Sequence, residues 1–135
     1  MSLNESIYYH LIISGIISGM ILFQTAIIAP TVFKTLEVDQ VRIFLRTIFP
    51  KLFRVLVLLG IISILILIIF KTENKIQYLV SLISIILPFI CYKIIPVTNK
   101  SKDDGNEKLF SLLHRISVLS TMIVLIINLF WIVFI

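Results

Sequence analysis

The chain has 135 residues, of which 59% are apolar and only 14% charged, with a formal net charge of +5. Soluble domains carry about 45–50% apolar and about 25% charged residues, and one of this size leaves much of its surface in water. A soluble enzyme, a disordered chain and a disulfide-rich secreted module are therefore excluded, and lipid must be the solvent for most of the sequence.

The N-terminus, MSLNESIYYH, has no basic stretch before its apolar run and no small-x-small cleavage site after it, so no cleaved signal peptide is expected. A spanning helix needs about 20 mostly apolar residues, because a rise of about 1.5 Å per residue must cross about 30 Å of hydrocarbon. Four segments qualify: about Ile7 to Phe33, Lys51 to Phe70, Ile76 to Val97 and Leu109 to Ile135. The runs are too long for strands and lack period-two alternation, which excludes a barrel. The expected fold is all-α, a polytopic membrane protein forming a single four-helix transmembrane domain over residues 1–135.

On the first span, Ser14, Gly15, Ser18 and Gly19 form a stripe of small residues suited to close helix packing, within the bundle or in a homo-oligomer through Gly15 and Gly19. Pro30 deprives the carbonyl of Ala26 of its helical donor and predicts a kink. The following stretch, TLEVDQVRIFLRTI, reads as a short interfacial helix lying on the membrane surface. Thr35 is its expected cap, Val41, Phe44, Leu45 and Ile48 its apolar face, and Pro50 its end and the opening of the second span. Pro88 repeats the kink signal in the third span by freeing the carbonyl of Ser84. The third connection, TNKSKDDGNEK, reads as a polar mobile loop without a phosphate or calcium motif.

Charge orients these spans. Lys34, Arg42, Arg46, Lys51 and Arg54 surround the first connection, and Lys93, Lys100, Lys102, Lys108 and Arg115 the third. The second connection has only Lys71 and Lys75. The positive-inside rule then puts the first and third connections in the cytoplasm and both termini outside, in a plasma or bacterial inner membrane. Tyr8, Tyr9, Phe70, Tyr78 and Trp131 fall at the outer boundary as an aromatic belt. The basic residues are too dispersed for nucleic acid and suit the lipid bilayer as partner.

Polar groups inside a span are costly, so each is a functional candidate. Gln24 and Thr25, Arg54, Tyr92 and Lys93, and His114, Arg115 and Ser117 place polar groups from all four spans at one level near the cytoplasmic end. Snorkelling accounts for Arg54, Lys93 and Arg115 taken singly; Gln24 and His114 are left for a polar pocket or for interhelical bonds. His10 and His114 are the only histidines. They sit near opposite ends of their spans, roughly 15–25 Å apart along the normal, and cannot share one iron within a monomer. His10 alone is a candidate haem ligand, set against an interfacial hydrogen-bonded histidine. Cys91 is the single cysteine, and no Asp or Glu lies within a span, which disfavours a disulfide, a cysteine metal cage and acid-coupled pumping.

The stretch F-Q-T-A-I-I-A-P-T-V-F-K-T-L at 23–36 with I-F-P at 48–50, and P-V-T-N at 96–99 with F-S-L-L-H-R-I-S at 110–117, resemble the transmembrane protein 205-like family. That is a four-helix membrane family filed as a domain of unknown function. The matching positions are Ala29, Pro30, Phe33, Phe49, Pro50, Pro96, Asn99, Phe110, His114 and Ser117, while Ser120 and Thr121 stand where the pattern has an asparagine. The resemblance carries no established catalytic chemistry to this chain and hints at transport or trafficking without naming a substrate; no cofactor is expected. A remoter likeness to CopD-type copper proteins and HemJ-type protoporphyrinogen oxidases implies haem as an alternative, without the Met/His clusters that copper favours. The expected function is a non-enzymatic membrane protein that binds or transports a small molecule, ion or lipid through a cytoplasmic-side pocket of Gln24, Pro30, Asn99, His114 and Ser117; the alternative is a haem-dependent membrane oxidoreductase.

Overall fold

The computed structural model describes residues 3–135, with side chains from residue 5 onward. The first helix, α1 (Leu3–Phe23), passes without a break into a π-helical turn, Gln24–Ile28, and then into α2 (Ala29–Thr35). The N–H of Ala29 bonds to the carbonyl of Gln24, five residues back instead of four. Pro30 is the cause. Its ring has no N–H and would strike the carbonyl four residues earlier, and the wider turn makes room for it. The expected kink is thus taken up as a π turn within a 31-residue span, Glu5–Thr35.

Helix α3 (Val38–Ile69) contains 32 residues and is capped by Glu37, whose side chain and that of Gln40 each take the other's backbone N–H. Thr35, the expected cap, belongs to the end of α2, and its hydroxyl donates to the carbonyl of Thr31 at 2.7 Å. The segment read as a separate interfacial helix is helical, but α3 continues through Pro50 into the second span. It is held along a partner helix. Arg46 makes a two-pronged pair with Asp103, Nη1 to Oδ2 at 3.1 Å and Nη2 to Oδ1 at 2.6 Å, and Nη2 also donates to the carbonyl of Asn99 at 3.3 Å.

That partner is α4 (Lys75–Asp103), capped by Asn74, whose Oδ1 accepts from the N–H groups of Ile76 and Gln77. It too runs through its prolines, Pro88 and Pro96. The loop expected at 98–108 is therefore mostly helix, and only Asp104–Asn106 turn the chain, with Gly105 at φ +72°. Lys100 supports the last turn through a 2.7 Å bond to Asp104. At about 1.5 Å per residue α3 is about 48 Å long, far beyond the hydrocarbon layer, so its first turns and the end of α4 project together at the basic end.

Helix α5 (Glu107–Phe130) closes the bundle and ends in a 3₁₀ turn, Trp131–Phe134. Helices α3 and α5 each pack against both α1 and α4, so the helices form a closed ring, and all four spans are long and apolar enough to cross a membrane. No strand occurs among the described residues. Ile17, Ile21, Phe53, Leu56, Cys91 and Val124 form the apolar centre, while many large aliphatic side chains, such as Ile12, Leu58, Ile86 and Leu119, face outward. That is the pattern of a bundle solvated by lipid.

Two local expectations change. Tyr8 and Tyr9 are exposed as belt residues, with the Tyr9 ring 5.2 Å from Phe70, but Trp131 is only 2% exposed. The tightened last turn carries its indole inward against His10. The small-residue stripe also divides: Ser14 and Ser18 are buried, whereas a Cβ at Gly15 or Gly19 would meet nothing within 4 Å.

Candidate functional site

Buried polar residues run down the inside of the bundle from the end that carries both termini. On α1, Ser6, His10, Ser14 and Ser18 recur every four residues and share one face; on α4, Gln77, Ser81 and Ser84 follow at spacings of four and three and also share one face. Ser63 of α3 joins the two rows. Its Oγ lies 2.9 Å from His10 Nδ1 and 2.7 Å from Ser81 Oγ. A hydroxyl has one proton, so Ser63 donates to one neighbour and accepts from the other. In either arrangement His10 Nε2 has no partner. The imidazole meets the Trp131 ring edge to face, with centroids 4.4 Å apart and planes at 86°. One turn further along, Asn128 Nδ2 of α5 donates to Ser84 Oγ and to the carbonyl of Val124, both at 2.8 Å.

Each end of the bundle has a cavity. At the terminal end, Ser6, Ile7, Thr72, Asn74, Gln77 and Ile135 line an open recess of about 350 Å³. Gln77 is wholly buried there, and neither atom of its carboxamide has a partner; the Thr72 hydroxyl is likewise unpartnered. At the basic end, a cavity of about 280 Å³ opens beside the π turn, between Met20, Phe23, Gln24, Ile28, Ile48, Lys51, Leu52 and Val55. Gln24 is 8% exposed and its Nε2 has no partner. Gln24 and Lys51 are the only polar side chains in that wall.

The five residues expected to form a cytoplasmic pocket are dispersed. Gln24 lines the basic-end cavity. Pro30 and His114 are exposed, the latter stacked on Phe110 at 5.8 Å. Asn99 offers its backbone carbonyl to Arg46, and Ser117 its own to Thr121 at 2.7 Å and to the Cys91 thiol at 3.9 Å. Among the described hydrogen bonds and ring contacts, none joins any two of the five. Two charged residues of the same level turn outward onto aromatic faces: Arg54 lies 6.0 Å from the Tyr92 ring and Lys93 5.4 Å from Phe89. Reading the level of each residue along its span ignored which face it occupies. The recurrence of polar side chains every three or four residues in α1 and α4 was the signal that could have found the interior row.

An axial haem histidine needs a ring nitrogen facing a slot that admits a porphyrin. Around His10 that space is filled by Ser63 and Trp131, and His10 lines neither cavity. These residues do not fit a haem. Among the described residues, no group of three His, Cys, Asp or Glu side chains could hold a metal ion.

The model of one protein family, DUF4149, described as a domain of unknown function, matches residues 12–107. The chain belongs to this family. The DUF4149 match takes in α1 from Ile12 through the end of α4, and so includes every residue of the basic-end cavity and Thr72, Asn74 and Gln77 of the other. His10 and nearly all of α5 lie outside it. No curated protein and no solved structure matches this DUF4149 chain.

Proposed function

We propose that this integral membrane protein binds an anionic phospholipid in the cavity beside the π turn. The observation that carries the reading is Gln24, buried in a lipid-solvated bundle with an unpartnered amide nitrogen at the wall of a cavity. Such a donor costs about 1–3 kcal/mol when left unsatisfied. Met20, Phe23, Ile28 and Leu52 offer an acyl chain an apolar wall, and Lys51 offers its headgroup a cation. A π turn is a frequent marker of functional sites. The reading keeps Gln24 from the sequence-based pocket, adds Lys51, and assigns no ligand contact to Pro30, Asn99, His114 or Ser117. Resemblance to the transmembrane protein 205-like family points to the same end of the bundle.

The orientation belongs to the same proposal. The basic end faces the cytoplasm, where anionic lipid is attracted, and both termini face outward. Gly15 and Gly19, open on the outer face of α1, are the surface on which a second copy would pack. The haem reading has no comparable support, because the ring of His10 is enclosed by protein.

The test is lipid retention. Protein taken from vesicles of phosphatidylcholine and phosphatidylglycerol into mild detergent is analysed by mass spectrometry for bound lipid. One headgroup contact of about 1 kcal/mol corresponds to about fivefold in affinity. Lys51→Ala and Gln24→Leu are expected to lose phosphatidylglycerol by about that factor, while Lys71→Ala at the opposite end keeps it. Equal retention by all three variants and the parent overturns the reading.

A further inference from the structure

The cavity at the terminal end has a different chemistry. Its polar lining is Ser6, Thr72, Asn74 and Gln77, and among the described residues no Lys, Arg, Asp or Glu side chain contributes to the wall. Gln77 is 0% exposed and presents an unpartnered carbonyl oxygen beside an unpartnered NH₂. Thr72, 7% exposed, adds a hydroxyl that can donate or accept. Asn74 Oδ1 is occupied by the backbone N–H groups it caps, so what the Asn74 side chain has left to offer is its NH₂ donors. The floor is polar as well. Ser6 and Gln77 lie one helical turn from His10 and Ser81, which Ser63 links by hydrogen bonds.

We propose that this cavity is a binding site for a small uncharged molecule carrying a hydrogen-bond donor and acceptor side by side, as an amide or a urea does. A primary amide answers Gln77 with two antiparallel hydrogen bonds and leaves a second lone pair for Thr72 or Asn74. Among the described residues of the wall no side chain carries a counter-charge, so an ion entering the cavity would be desolvated without a charged partner in its lining. A wholly apolar ligand would leave the Gln77 carboxamide stranded. Uncharged amides satisfy both constraints. The site shares no residue with the cavity of Gln24 and Lys51, so either assignment can fail while the other stands.

The experiment follows the side-chain amide resonances of glutamine in ¹⁵N-labelled full-length protein in lipid nanodiscs, titrated with acetamide. A ligand this small binds in the range of about 1–100 mM. The expected result is a saturable shift of the Gln77 NH₂ pair, with the Gln24 and Gln40 pairs unmoved. Thr72→Val should weaken the apparent affinity several-fold with the Gln77 signal still reporting. Gln77→Leu, of similar size and apolar, should abolish the saturable acetamide contact seen by saturation transfer. Acetate and methylammonium at the same concentrations should produce no saturable shift. The proposal is overturned by a shift that rises linearly with acetamide, by saturation with acetate or methylammonium equal to that with acetamide, or by undiminished saturation transfer in Gln77→Leu.

Discussion

Gly60 sets how closely α3 approaches α4, and Gly60→Ala measures what that closeness contributes. A Cβ built at Gly60 would stand 2.7 Å from Ile85 Cγ1 and 3.1 Å from both the Ile85 nitrogen and the Ser84 carbonyl carbon. The first atom lies near the root of its side chain and the others are backbone, so no small rotamer change relieves the contact. The helices must separate by several tenths of an ångström. Overpacking of this kind costs about 1–3 kcal/mol, while alanine in place of glycine returns up to about 1 kcal/mol of helix propensity. The propensity gain can be cancelled by comparison in monomeric protein, because Gly15 and Gly19 are also mid-helix and a Cβ there meets nothing of its own chain within 4 Å. Gly60→Ala should therefore be less stable than Gly15→Ala or Gly19→Ala by about 1–3 kcal/mol. Reversible unfolding in mixed micelles at increasing denaturing detergent gives that difference. The damage should also reach the 2.7 Å Ser63–Ser81 bond, which lies one turn away on both helices. Three alanine variants of equal stability would refute the close approach of α3 and α4.

Three further outcomes follow from the same contacts. Ser63→Ala strands His10 Nδ1 and Ser81 Oγ inside the bundle and should cost about 1–3 kcal/mol; adding His10→Leu should cost less than the sum of the single changes, and strict additivity in the cycle would sink the network. Arg46→Ala removes the clamp on Asp103, a partly exposed pair worth about 0.2–1 kcal/mol. Hydrogen exchange should then quicken at 38–47 and 98–103 while global stability barely moves, and unchanged exchange there would show that the clamp holds nothing. Single cysteines at Glu73→Cys and Lys108→Cys, both exposed and at opposite ends, report orientation against the buried Cys91; an impermeant thiol reagent added to intact cells should label the first and spare the second, and the reverse pattern would invert the proposed topology.

The four spans were legible because lipid imposes one strong demand: long apolar runs with charge at their ends. What was misread involves balances of a few kcal/mol between neighbours distant in sequence. Pro50, Pro88 and Pro96 are breakers by local rules, yet each lies within a helix that packing against another helix sustains. The run TNKSKDD looks like a loop until Arg46, more than fifty positions earlier, binds Asp103 and aligns the two helix ends. Trp131 fits a belt by its position along the span, but His10 offers its ring a partner inside. For the candidate sites, depth along each span was readable and azimuth was not. Of the residues grouped by depth, Gln24 lines a cavity while His114 and Pro30 face outward.

The arrangement of the interior bears on whether the two cavities form one path. From the terminal end, polar side chains continue past His10, Ser63 and Ser81 to the Asn128–Ser84 bond, with Ser14 and Ser18 alongside on α1. Beyond them Ile21, Phe53, Leu56, Cys91 and Val124 close together into an apolar layer. Gln24 lies on its far side, about 9 Å beyond Ser18 at about 1.5 Å per residue. Interiors packed to this density hold few voids that admit water, and a polar solute crossing the layer would shed its hydrogen bonds without replacement. The bundle therefore has a polar recess at one end and a largely apolar recess at the other, separated by an apolar layer. On the two proposals above, the ends of the bundle bind separately, and in this conformation the apolar layer lies between them. Passage between the ends would require Ile21 and Leu56 to part, and the close seating of Gly60 on Ile85, one turn from Leu56, resists that separation.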